Sequence, residues 1–239
     1  MPSLKIHPLH VGTITRQKMT FCYWLEPGTI EDVPLICYYI EGADKKILVD
    51  TGGCDPAVAH PRWKPYKREK DQELEHALGR IGVQCEDVDV VIVTHLHWDH
   101  SGGNKLFPNA EMIVQEAELE SARNPFPIMS HGYIKDIIEE VNYTLISGDR
   151  KIADGVTAML TPGHTYGFQG VLVEAKRQKY FIAGDTFGFF KNLETDPPTI
   201  SGLYVDLKKY YDSLEKIAGL SAFILPGHDF KVFDREVYD

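Results

Sequence analysis

Short apolar runs that break off at turn residues fill this chain, and later on they alternate with stretches of helical spacing. Leu35–Glu41 (LICYYIE) and Lys46–Asp50 (KILVD) predict neighbouring strands joined across Gly42-Ala-Asp. Asp89–Thr94 (DVVIVT) is a β-branched run, the mark of a strand covered on both faces. Further strands are predicted at Met112–Gln115, Val156–Thr161, Leu172–Ala175, Tyr180–Ala183 and Ala222–Leu225. Helices are predicted at Gln72–Ile81, Glu116–Arg123, Ile134–Val141 and Leu207–Ile217, with Gly82 as a natural stop for the first. Pro61–Asp71 (PRWKPYKREKD) reads as a polar, basic surface excursion. No Pro/Gly/Ser-rich linker parts the chain, so residues 1–239 read as one α/β domain.

Four of the apolar runs end alike, at a loop carrying metal-type side chains. DVVIVT leads into His95-Leu-His97-Trp-Asp99-His100, VTAMLTPG into His164, YFIAG into Asp185 and FILPG into His228. Ligand sites of layered α/β proteins gather beyond the ends of neighbouring strands, where loops converge. A lone histidine is more often packed or exposed than ligating. HxHxDH joined to three more strand-end ligands is the sign of one composite site.

Composition narrows the partners. Thirty-five acidic against twenty-five basic residues give a formal charge of -10, which repels phosphate backbones and argues against nucleic acid. No apolar run reaches the length of a membrane span, and the N-terminus shows no export signal, so a cytoplasmic protein without a membrane partner is expected. Cys22, Cys37, Cys54 and Cys85 are widely spaced, as reduced packing thiols would be.

Neutral imidazole and carboxylate suit a borderline cation such as zinc. Seven such donors exceed the closed cage of a structural ion. They suggest two ions with positions left open for water, which is the arrangement of catalysis.

The motifs carrying this site resemble the metallo-β-lactamase superfamily in order and spacing: Asp50-Thr-Gly-Gly53, HxHxDH, Thr161-Pro-Gly-His-Thr165, Ala183-Gly-Asp-Thr186 and Pro226-Gly-His228. The resemblance implies an αββα sandwich of two similar halves with the metals at one edge between the sheets. It implies that His95, His97 and His164 hold one ion, that Asp99, His100 and His228 hold the other, and that Asp185 bridges them with a hydroxide. Asp50 matches the aspartate that braces the metal loop. Two Zn²⁺ are the expected cofactors, with Fe, Co or Mn as alternatives. The implied reaction is hydrolysis by the bridging hydroxide, with Asp99 also shuttling a proton to the leaving group.

Several branches fit poorly. β-Lactamases lack the bridging aspartate, nucleic-acid processing members carry a large extra domain, and thioesterases of the glyoxalase II type add a helical region beyond the last histidine. Flavodiiron reductases place Glu where His97 stands. The sequence is most similar to the N-acyl homoserine lactonase-like branch, in Phe21–Trp24, Pro27–Pro34, HLHWDHSGGN, Ile113–Glu118 and the ending Leu225–Asp229. A lactone is the implied small-molecule substrate. Another small carbonyl compound (amide, imide or thioester), a phosphodiester, or a non-hydrolytic di-iron role are the alternatives. One departure is that the branch often has a tyrosine three residues after the bridging aspartate, where this chain has Gly188. Tyr23, Tyr133, Tyr166 and Tyr204 are candidates for the missing hydroxyl, and His131 for a substrate contact. Phe21, Tyr23, Trp24, Phe187, Phe189 and Phe190 are candidates for an apolar substrate wall, Tyr23, Trp24, Phe187 and Phe189 foremost. The basic excursion and the N-terminal aromatics would support a homodimer.

Overall fold

The computed structural model describes residues 3–239. Two long strands, β1 (Lys5–Gln17) and β2 (Ile30–Glu41), pair antiparallel, and β3 (Ile47–Val49) returns beside β2 through the turn at Gly42. That turn takes a φ of +92°, the conformation glycine tolerates best. A short β4 (Tyr66–Lys67) lines the outer edge of β1, and helix α1 (Leu74–Gly79) follows. Then come β5 (Val90–Ile92), the one-turn α2 (Trp98–Ser101), β6 (Glu111–Gln115), α3 (Glu116–Arg123), α4 (Lys135–Glu140) and β7 (Tyr143–Ile146). These seven strands form one sheet in the order β4-β1-β2-β3-β5-β6-β7.

The second sheet is built from β8 (Arg150–Ala153), β9 (Val156–Leu160), β10 (Gln169–Glu174) and β11 (Lys179–Gly184), followed by α5 (Leu207–Ala218) and β12 (Phe223–Pro226). Its order is β12-β11-β10-β9-β8. Ile36, Tyr38, Ile47, Val90 and Ile92 of the first sheet meet Val156, Val171, Tyr180, Ile182 and Leu225 of the second in one apolar layer. On the outer faces, Leu74, Leu78 and Leu119 of the helices cover the first sheet, and Tyr210, Leu214 and Ile217 of α5 cover the second. The layering is αββα, as the motifs imply. No helix among the described residues is long and apolar enough to cross a membrane.

Two expectations change. β1, β7 and β8 are strands that the pattern did not predict, and β2 begins five residues before its apolar run. The 61–71 segment is a surface excursion only in part. Trp63 and Tyr66 are buried, because Trp63 stacks on Trp98 at 4.6 Å with 6° between the planes while Tyr66 meets Trp98 edge-on. Aromatic area of that size is worth more buried than exposed, whatever the charge of its neighbours.

Candidate metal centre

β5 and β6 run parallel from the same edge, and β11 and β12 do likewise in the other sheet. Their ends therefore come out together. The loop after β5 delivers His95 and His97, and α2 delivers Asp99 and His100. The loops after β9, β11 and β12 deliver His164, Asp185 and His228. One donor atom each from His95, His97, His164 and Asp185 lies within 4.8 Å of the others, and the same holds for Asp99, His100 and His228. All seven predicted ligands thus come together in two groups.

Asp185 stands between the groups. Its Oδ2 is 3.3 Å from His164 Nε2 and 3.9 Å from His95 Nε2, while its Oδ1 is 2.9 Å from His228 Nε2 and 3.1 Å from His100 Nε2. His97 turns its Nδ1 inward, 2.9 Å from His95 Nε2 and 3.2 Å from His164 Nε2.

The outer hydrogen bonds fix which nitrogens carry protons. His100 Nδ1 donates to Asp50 Oδ2 at 2.8 Å, His164 Nδ1 to the Leu203 carbonyl at 2.8 Å, and His228 Nδ1 to the Pro34 carbonyl at 2.9 Å. Thr94 Oγ1 donates to Asp50 Oδ2 and accepts from His95 Nδ1 at 3.1 Å. A neutral imidazole has one N–H, so in their neutral forms these four rings turn Nε2 lone pairs into the space around Asp185. His100 Nε2 is a buried nitrogen with no hydrogen-bond partner. Inward lone pairs with nothing to donate to them are what a cation satisfies, and the donor set fits zinc-type ions.

The electrostatics agree. Burial, with neighbouring imidazoles adding to it, holds His95 and His97 well below the usual imidazole range, and burial lowers His164 too. Burial alone would raise Asp185, but His100, His228 and His164 outweigh it and keep the carboxylate ionised. His100 behaves oppositely: against its burial, Asp185, Asp50 and Asp99 favour the proton. A bound cation takes that proton's place.

Asp50 ties the end of the strand before His95 to α2. Its two oxygens take the Thr94 amide (2.7 Å), the Thr94 hydroxyl (2.8 Å) and His100 Nδ1, and these bonds hold it at a φ of +62°, costly for a residue with a side chain.

Glu118 is a brace that the sequence did not disclose. Fully buried on α3, it accepts the Leu96 amide on Oε1 at 2.9 Å and the Gly167 amide on Oε2 at 3.3 Å. It so ties the His95–His97 loop to the His164 loop. Gly167 permits the approach, since a Cβ there would overlap the Glu118 backbone. Burial pushes the Glu118 carboxyl up, with those amides opposing. Glu118→Gln keeps one acceptor and turns an NH₂ toward the other amide. We expect about 10–100-fold weaker binding of the first ion, read by metal titration of the stripped protein; unchanged affinity would remove Glu118 from this role.

Beside the two groups lies a cavity of about 280 Å³. His97, Asp99 and Asp185 form its floor, and Ile14, Phe21, Trp63, Trp98, Met129 and Leu203 most of its apolar wall. Arg16, Thr20, Arg62 and His131 add polar groups, so His131 does face the cavity. A larger cleft between α3 and α5, near Tyr166 and Lys209, holds none of the seven donors.

Of the predicted aromatic wall, Phe21 lines the cavity and the other five residues do not. Phe187 is buried beneath α5 with Tyr210 and Leu214, and Phe189 lies behind Phe21, ring centroids 5.5 Å apart. Tyr23 and Trp24 turn outward, 43% and 63% exposed, at a loop where Trp24 takes a φ of +58°. None of the four lines the cavity, and neither do Tyr133, Tyr166 and Tyr204. Gly188 supplies the reason: a Cβ there would overlap Phe21 Cβ, so a tyrosine has no room. Phe21 occupies that space instead, its ring 4.5 Å from His228.

Fold and donors together define a four-layer α/β protein with a metal site at one edge of the sandwich. The chain belongs to the metallo-beta-lactamase superfamily, whose family model matches residues 36–228. Within it the similarity is to the N-acyl homoserine lactonase-like branch. An N-acyl homoserine lactonase of Bacillus cereus is 36% identical over 186 residues, covering 73% of this chain and 72% of that protein. One from Bacillus sp. is 38% identical over 164 residues, covering 64% of this chain; the match spans 63% of that relative's length. Among solved structures, an N-acyl homoserine lactone hydrolase with the product N-hexanoyl-L-homoserine at its catalytic metal centre superposes with a TM-score of 0.84 at 26% identity, covering 98% of this chain and 96% of the other. A quorum-quenching N-acyl homoserine lactone lactonase gives 0.83 at 28% identity, covering 97% and 94%.

Proposed function

We propose that this protein is a metal-dependent hydrolase that opens an N-acyl homoserine lactone or a closely related small lactone, with two zinc ions as cofactors. The observation that carries the reading is Asp185, whose two oxygens face two separate groups of bare imidazole nitrogens. The named activities of the similar proteins support a lactone as the ring that is opened.

His95, His97 and His164 would hold one ion, Asp99, His100 and His228 the other, and Asp185 both. When bound, such ions supply hydroxide near neutral pH and polarise a carbonyl. Asp99 stands on the cavity floor, half-buried, with a carboxylate that takes the nucleophile's proton and returns it to the departing ring oxygen. Phe21, Trp63, Trp98 and Met129 shield the acyl part from water. Among the described residues no tyrosine lines this cavity, and Thr20 is the hydroxyl-bearing residue in its wall. The four cysteines are unpaired, which suits the reducing cytoplasm, where we place the protein.

The test is purification without chelator, metal analysis, and a panel of lactones, amides, thioesters and phosphodiesters followed by proton release. About two equivalents of zinc with turnover confined to lactones is the expected result. Less than one equivalent of any transition ion, or no lactone opened by metal-replete protein, sinks the reading.

A further inference from the structure

Arg16 lies opposite Glu31 in the β1–β2 pairing, a position where opposite charges ordinarily meet across the strands. They do not meet here. Glu31 lies 3.4 Å from Lys18 Nζ, and Arg16 swings to the cavity wall. There its Nη1 donates to the Thr15 carbonyl at 2.8 Å, and its Nη2 to the carbonyls of Trp63 at 2.5 Å and Arg62 at 3.3 Å. Three of five N–H groups are thereby used, and the guanidinium is fixed in place on the aromatic side of the cavity.

It makes no ion pair, and the one opposite charge that acts on it is Asp99 on the cavity floor. Among the described residues no carboxylate lies within 4.0 Å of Arg16 or of Arg62, the second guanidinium on this wall. The only acids lining the cavity are Asp99 and Asp185, which the proposed metal centre claims as ligands. Arg16 is half-buried, and a charge taken out of water is costly unless a counter-charge meets it. In a protein of net charge -10, this wall is left positive.

We propose that Arg16, with Arg62 beside it, selects lactones whose acyl group ends in a carboxylate, the anion docking on the guanidinium wall while the ring lies over the metals. This rests on the lactonase reading above and adds to it the class of acyl group. Guanidinium and carboxylate match as a fork, which sets Arg apart from Lys at such a site. The apolar residues that line the same cavity, Ile14, Phe21 and Trp98 among them, accommodate the methylene stem of the acid.

The experiment compares N-succinyl-, N-glutaryl- and N-adipoyl-L-homoserine lactone with their terminal carboxamides, which match them in size without the charge. For the acid of best length the zinc-loaded protein should show kcat/KM at least about tenfold above its carboxamide, carried mainly by KM. Arg16→Gln should bring that ratio near unity, and Arg16→Lys should restore only part of it. Calorimetric binding of the ring-opened acid and its carboxamide gives the same comparison without turnover, and Arg62→Gln provides a second variant should Arg16→Gln fold poorly. A wild-type ratio within about threefold of unity in both readouts overturns the inference, as does a preference that survives both substitutions. If no lactone is opened, the hydrolytic reading falls, while the binding comparison still decides whether the wall selects carboxylates.

Discussion

Asp99→Asn is expected to lower kcat by about 10²–10⁴-fold while leaving the first ion bound. Asp99 is the only one of the seven donors that is not buried, and it lines the cavity where substrate would lie. The group formed by His95, His97, His164 and Asp185 does not include it. His100 and His228 keep their anchors on Asp50 and Pro34, so the amide variant retains the shape of the site. What it loses is a carboxylate oxygen able to take up a proton. Steady-state kinetics on the best lactone together with metal analysis would check this; a variant with full turnover would move proton transfer to another group.

Removing the ions should have the largest effect on stability. At about 1,000 times its dissociation constant, a ligand specific to the folded state adds ~4 kcal/mol, which for a chain of this size is about 8–16 °C in Tm. The interior left behind has five imidazoles and a carboxylate facing one another, with His100 Nε2 unpartnered. Calorimetry of stripped and zinc-replete protein checks the shift. A Tm unmoved by the chelator would mean that these loops hold their shape without a cation, contrary to the pattern of bare lone pairs.

Much of the centre could be read from the chain because its ligands come in a fixed syntax. A strand end and a short loop deliver each donor, and HxHxDH packs four of them into six positions. The helices and the buried strands of the middle were visible for a similar local reason, since periodicity and β-branching act within a few residues. β1 was not. Its run KIHPLHVGTITRQ is interrupted by Pro8, Gly12 and polar residues, and it becomes a strand through pairing with β2, which no local pattern reports.

The same distinction explains the site residues that sequence missed or misplaced. Glu118 looks like one acid among several on a polar helix, and its burial depends on a glycine far along the chain. Phe187 and Phe189 flank Asp185 closely in sequence, yet packing of Gly188 against Phe21 decides where their rings point. Trp63 and Arg16 reach the cavity from segments that are neighbours only after folding.

The division of the seven donors between the sheets has a consequence for how the site comes together. His95, His97, Asp99 and His100 belong to one side of the sandwich, and His164, Asp185 and His228 to the other. Neither lobe alone has a complete coordination set for either ion. Ions held as proposed would act as rivets across a seam, so that chemistry would begin only once both lobes have closed on each other, and a half-made chain would not be a loose, unselective hydrolase.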